Sequence, residues 1–66
     1  MPYDGEQVDL GCTVIGETPL AIKCEFGDKV EWIPKSLVHP DSDTLDVGDT
    51  GTLIIPEWLA HKKGLI

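Results

Sequence analysis

Residues 8–32 read "VDLGCTVIGETPLAIKCEFGDKVEW", and this stretch decides the fold. Val8, Leu10, Cys12 and Val14 alternate with Asp9, Gly11 and Thr13, and Leu20, Ile22, Cys24 and Phe26 alternate with Ala21, Lys23 and Glu25. Period two puts successive side chains on opposite faces, so each run reads as a half-buried strand. Between them "GETP" reads as a turn. A hairpin centred on Thr18 opposes Val14 to Ile22, Cys12 to Cys24 and Leu10 to Phe26. All six apolar side chains then share one side, and a slip of one residue would set the apolar positions against the polar ones. A three-residue loop of Gly27, Asp28 and Lys29 next opposes Phe26 to Val30 and Cys24 to Trp32, which extends the apolar face onto a third strand. Pro34 ends that strand, because it has no N–H to give to a ladder.

Working outward, "KSLV" (35–38) suits a short helical turn. "GTLII" (51–55) is a brief apolar run between turn residues and predicts a fourth strand. Pro56 fits the first position of a helix, Glu57 and the pair Lys62 and Lys63 complement its dipole, and Gly64 fits the residue just past its end. Trp58 and Leu59 are expected to dock this helix on the sheet. The fold class is therefore α+β: a small antiparallel sheet of three to four strands, begun by an N-terminal meander, with one short C-terminal helix. Sixty-six residues make one domain, 1–66, and a domain of this size buries only roughly 60% of its unfolded surface.

Charge narrows the function. Twelve acids against five lysines give −7, and there is no arginine. Arginine is the preferred reader of phosphates and guanine edges, so direct nucleic-acid binding is not expected. An acidic chain meets basic protein surfaces, with electrostatics speeding the encounter. The acids concentrate in two lysine-free segments. Residues 1–22 hold Asp4, Glu6, Asp9 and Glu17, and residues 41–50 hold Asp41, Asp43, Asp46 and Asp49. No apolar run approaches the ~20 residues of a membrane span. The N-terminus lacks a basic region followed by an apolar one. The expectation is a cytoplasmic protein, without a membrane, that works as a monomer.

Cys12 and Cys24, opposed in that hairpin, fit reduced, buried thiols, and neighbouring strands leave a disulfide open. Their spacing matches neither a redox nor a zinc motif. His39 and His61 fall beside a loop and a helix end, and a small hydrolase using either with the acids is the least favoured reading. Asp41-x-Asp43 opens like a calcium loop, but position five is Leu45, position six is Asp46 where glycine is needed, and position twelve is Thr52 instead of glutamate. No metal or cofactor is expected, and no enzyme. The two tryptophans read as core, although one exposed near an acidic face would serve as an interface anchor.

Two options then remain for "HPDSDTLDVGDTGT" (39–52): an idle loop or a surface to be bound. Asp41 to Asp49 spans eight steps, at most ~26 Å, or about one charge per 9 Å. Duplex DNA carries one per ~1.7 Å, so the stretch imitates DNA only if Glu6, Asp9 and Glu17 lie beside it. "KVEWIPKSLV" (29–38), "GTLIIPEWLAHKKGL" (51–65) and the acidic stretch between them resemble the small anti-CRISPR proteins of phages and mobile elements, specifically an inhibitor of the type I-C system. That resemblance implies a non-enzymatic protein that binds the host surveillance complex, Cascade, and blocks recognition of target DNA by occupying a basic surface. The partner-binding candidates, taken from charge, are Asp41, Asp43, Asp46, Asp49, Glu6, Asp9 and Glu17. The alternative is an acidic interaction module or accessory subunit of a phage replication or recombination machine.

Overall fold

The computed structural model describes residues 5–44 and 46–66. Asp4 and Leu45, which entered the charge and calcium-loop readings, lie outside the described residues. Strands β1 (Gln7–Glu17), β2 (Ala21–Phe26), β3 (Lys29–Pro34) and β4 (Thr50–Pro56) build one antiparallel sheet in the order β3-β2-β1-β4. A 3₁₀ turn at Lys35–Leu37 leaves β3, and helix α1 (Glu57–Lys62) follows β4. The α+β class, the meander and the C-terminal helix thus stand, and the fourth strand joins the far side of β1.

One face of the sheet is covered. Cys12 and Val14 of β1, Ile22 and Cys24 of β2, Ile33 of β3, and Leu53 and Ile55 of β4 pack with Leu59 and Ala60 of α1 in a single core. Burying a leucine such as Leu59 stabilises by about 1.5–3 kcal/mol. The helix has six residues, too short to persist alone, so this contact and its C-terminal lock hold it. Gly64, at φ +69°, donates to the His61 carbonyl (3.0 Å), and Leu65 donates to the Ala60 carbonyl (2.8 Å). This is the paired bond pattern of a Schellman cap, and Leu65 packs against the core. Pro56 (φ −59°, ψ 140°) is still extended, so it precedes the helix instead of opening it.

Three expected contacts change. Val14 pairs with Cys24, not Ile22, while Glu17 pairs with Ile22. The β1–β2 hairpin turns through Pro19 and Leu20, beyond a centre on Thr18, and the Thr18 N–H bonds the Ala21 carbonyl (2.8 Å). Leu20 sits at this tip and is 81% exposed. Cys12 is therefore not opposite Cys24, although both stay on the covered face, buried and unbridged. Between Val14 and Gly16 the register slips by one at a β-bulge. A bulge places two residues against one, so Ile15 and Gly16 both stand on the uncovered side against Lys23. A Cβ on Gly16 would lie 3.3 Å from the Lys23 Cβ. The parity change turns Glu17 to the covered side, whereas Asp9 and Thr13 point away from it.

The second hairpin has a two-residue loop, not three: Phe26 pairs with Lys29, Glu25 with Val30 and Lys23 with Trp32. Gly27 has φ +68° and Asp28 does not have positive φ, the pattern of a type II′ turn with glycine first. The single-residue difference flips the whole third strand. Ile33 enters the core at 0% exposure, while Val30 and Trp32 face outward. Trp58 is likewise exposed, and Ala60, not Trp58, docks α1 beside Leu59. Neither tryptophan is core.

Candidate binding surfaces

Residues 39–44 run along the outer edge of β4. The His39 N–H donates to the Ile54 carbonyl (2.9 Å), and the Asp43 N–H donates to the Thr52 carbonyl (2.8 Å). Ser42 Oγ accepts from the Ile54 N–H (2.8 Å) and donates back to the Ile54 carbonyl (3.3 Å). Thr44 Oγ1 donates to the Thr52 carbonyl (3.3 Å), and the Cys12 thiol points at it from the core (3.6 Å). Ser42 and Thr44 are buried, while Asp41 and Asp43 on either side of Ser42 are exposed. In this segment, which turns where the Ser42 N–H bonds the His39 carbonyl (3.0 Å), the hydroxyls of Ser42 and Thr44 point inward as anchors and the carboxylates of Asp41 and Asp43 are left exposed. Gly51 makes room for this segment, since a Cβ there would meet the Asp43 Cβ at 3.1 Å.

Beyond it a turn brings the chain back to β1. The Asp49 carboxylate accepts from the Asp46 N–H (2.9 Å), the Asp49 N–H bonds the Asp46 carbonyl (3.0 Å), and Gly48 sits at φ +96°. Gly48 and Asp49 then pair with Val14 just before the bulge, through bonds of 2.8 and 2.9 Å. Asp46 and Glu17 line one shallow depression with Lys35 over Ile22 and Val38. Lys35 bonds Glu17 directly. The depression holds about 240 Å³, less than the roughly 300–1,000 Å³ of small-molecule sites, so it does not suggest a drug-sized ligand.

The seven acidic candidates do not form one cluster. Glu17, Asp46 and Asp49 gather at the hairpin end, and Asp41 and Asp43 ride the segment bordering β4. Asp9 lies eight steps from Glu17, or about 26 Å along the strand, in a molecule whose longest dimension is 28 Å. Its side chain leaves the opposite face of the sheet. Glu6 stands at the start of β1, where its carbonyl accepts from the Glu57 N–H (2.9 Å). A continuous face carrying the N-terminal acids beside the loop, which DNA-like charge density required, is not built among the described residues.

His39 Nδ1 accepts from the Asp41 N–H (3.1 Å) and lies 3.8 Å from the Asp41 carboxylate, while His61 Nε2 lies 3.8 Å from Glu57 one turn earlier in α1. Both contacts are local. Burial, with the Cys12 thiol alongside, pushes the Cys24 thiol up to about 12. At neutral pH that thiol is protonated and unreactive as a nucleophile. No group of three or more metal-ligating side chains occurs among the described residues.

The uncovered face carries two side chains that the sequence reading placed inside, Trp32 (43% exposed) and Val30 (41%), together with Ile15 (43%). The Lys23 ammonium lies 5.8 Å from the centre of the Trp32 ring, within cation–π range. Thr13 and Thr50 share a hydroxyl hydrogen bond (3.0 Å) across β1 and β4. The dipeptide Gly27-Asp28, taken as a complete II′ turn, is the signal that predicts this outward Trp32. No protein family, curated protein or solved structure matches the chain.

Proposed function

We propose that the protein is a non-enzymatic binding protein of the anti-CRISPR kind, docking Asp41, Asp43 and Asp46 on a basic surface of the type I-C surveillance complex and so competing with target DNA. The observation that carries the reading is the pinned display of charge: Asp41 and Asp43 project from a segment whose alternate residues, Ser42 and Thr44, are buried and bonded to β4. A segment already held in place loses little conformational freedom on binding. Competition here comes from occupying the basic surface, since the charges do not reproduce the spacing of duplex DNA.

The test reverses Asp41, Asp43 and Asp46 to lysine and leaves Asp49, whose carboxylate holds the turn at Asp46. The folded variant is expected to lose association with purified Cascade, chiefly through a slower on-rate, and to stop protecting it from target DNA. Undiminished binding and inhibition by the folded variant sinks the acidic contact. Failure of the wild-type protein to bind Cascade at all removes the partner, and capture of a replication or recombination protein instead favours an accessory subunit.

A further inference from the structure

The sheet has two edges, and the chain treats them differently. Residues 39–44 cover β4 by hydrogen-bonding to Ile54 and Thr52. On β3, at the other edge, no described residue bonds the outer backbone between Val30 and Ile33. Antiparallel pairs alternate between hydrogen-bonded and non-bonded. The pair flanking the two-residue loop, Phe26 with Lys29, is bonded. It follows that Val30 and Trp32 turn their N–H and C=O groups outward, while Glu31, opposite Cys24, turns its own toward β2. Charge divides in the same way. Asp41 and Asp43 border β4, whereas four of the five lysines gather about β3. Lys29 opens the strand, Lys35 follows it, the Lys23 ammonium lies 5.8 Å from the Trp32 ring, and the Lys63 ammonium lies 3.8 Å from the Glu31 carboxylate. Two chains of −7 repel one another, and β3 is the side on which their lysines, not their aspartates, come together.

We propose that β3 pairs with β3 of a second copy of this chain, antiparallel, about a two-fold axis at Glu31. A two-fold contact sets residue i against j and j against i, so Val30 of each copy opposes Trp32 of the other. Every outward N–H and C=O of these residues then meets an outward partner. On the uncovered face the joint gains two aromatic–β-branched cross-strand pairs, a stabilising combination. On the covered side Glu31 opposes Glu31 of the second copy, a like-charge pair that is unfavourable by itself. Each of these carboxylates already has Lys63 beside it. Lys29, which donates to the Gly64 carbonyl within its own chain (3.3 Å), becomes the diagonal neighbour of the opposite Glu31, within reach of a long side chain. The two carboxylates thus sit among the ammonium groups of Lys29 and Lys63 from both copies. Other placements of the axis lose this fit. An axis at Val30 sets Trp32 against the loop residue Asp28, and an axis at Trp32 sets Val30 against Pro34, which has no N–H to give. This joint lies at the edge opposite the acidic segment on β4, so either proposal can fail without the other.

The full chain by itself is the sample. Its sedimentation is expected to pass from monomer to dimer as concentration rises. Where nine-tenths of the chains are paired, exchange at the Val30 and Trp32 amides is expected to be about tenfold slower than in dilute solution, since only the unpaired tenth exchanges. The Glu31 and Ile33 amides, already bonded to β2, show no comparable change. Val30→Pro removes an outward N–H without touching a β2–β3 bond, and is expected to keep a folded spectrum and stay monomeric. Glu31→Cys tests the register, because the axis sets position 31 against itself at a Cα separation of about 4.5 Å, within disulfide range. With oxidised glutathione it is expected to cross-link to itself well ahead of Ser36→Cys, which is exposed in the 3₁₀ turn. A chain that stays monomeric at millimolar concentration, or a dimer that survives Val30→Pro, overturns the proposal. Cross-linking of Glu31→Cys no faster than that of Ser36→Cys overturns it as well.

Discussion

Ser42→Ala is the sharpest test of how the acidic segment is held. Ser42 is 6% exposed and satisfies both backbone groups of Ile54 on the outer edge of β4, accepting at 2.8 Å and donating at 3.3 Å. The Ile54 carbonyl keeps the His39 N–H at 2.9 Å, so only the N–H of Ile54 loses its partner. Leaving a largely shielded donor unpaired costs about 1–3 kcal/mol. In a domain of this length each kcal/mol moves Tm by roughly 4–8 °C, so a central value of ~2 kcal/mol predicts a drop of about 8–16 °C. The assay is thermal unfolding by circular dichroism, with Ser36→Ala as control. Ser36 is exposed in the 3₁₀ turn, where substitution is expected to stay within about 0.5 kcal/mol. Hydrogen exchange supplies the second readout: the Ile54 and Asp43 amides exchange faster in Ser42→Ala than the β1 and β2 amides do. A Tm within two degrees or so of the Ser36→Ala control, with Ile54 exchange unchanged, refutes the anchoring role.

Two further outcomes follow from the core and the helix end. The Cys24 thiol is raised from an ordinary 9.0 to about 12, so as pH rises the unfolded chain releases this proton first. Its contribution is complete below about pH 9 and is lost between 9 and 12, with a slope approaching 1.4 kcal/mol per pH unit. Urea midpoints at pH 8 to 11 should fall more steeply for the wild type than for Cys24→Ala, and parallel curves would contradict this. Gly64→Ala places a Cβ at φ +69° and 2.7 Å from the Lys29 ammonium. The flexible lysine can retreat, so the backbone strain dominates at about 1 kcal/mol. Equal denaturant midpoints would count against the cap.

The parts of the fold legible in the sequence rest on period. Alternation in β1 and β2 marks Cys12, Val14, Ile22 and Cys24 for the core whichever register the hairpin takes, because a shift of two residues keeps every side chain on its face. The lone apolar run at 51–55 and the Pro56-to-Gly64 signals locate the fourth strand and the helix for the same local reasons. What alternation does not constrain is loop length. A loop after Phe26 one residue shorter than three reverses β3, putting Ile33 in the core where Trp32 was expected. One residue more at the Ile15 bulge carries Glu17 across the sheet to Lys35 and Asp46.

The acidic character, the missing arginine and the candidate carboxylates are properties of the chain itself and need no fold. Which carboxylates act together is decided by the tertiary structure. Asp41 and Asp43 share a ridge because Ser42 and Thr44 find unpaired backbone on β4. Asp9, with the same charge and equal exposure to choice, is taken to the other face by the pleat of β1. In "HPDSDTLDVGDTGT" the charges were visible from the start. That its serine and threonine, residues 42 and 44, are what make those charges a surface depends on an edge strand whose partner residues lie 12 and 8 positions further along the chain.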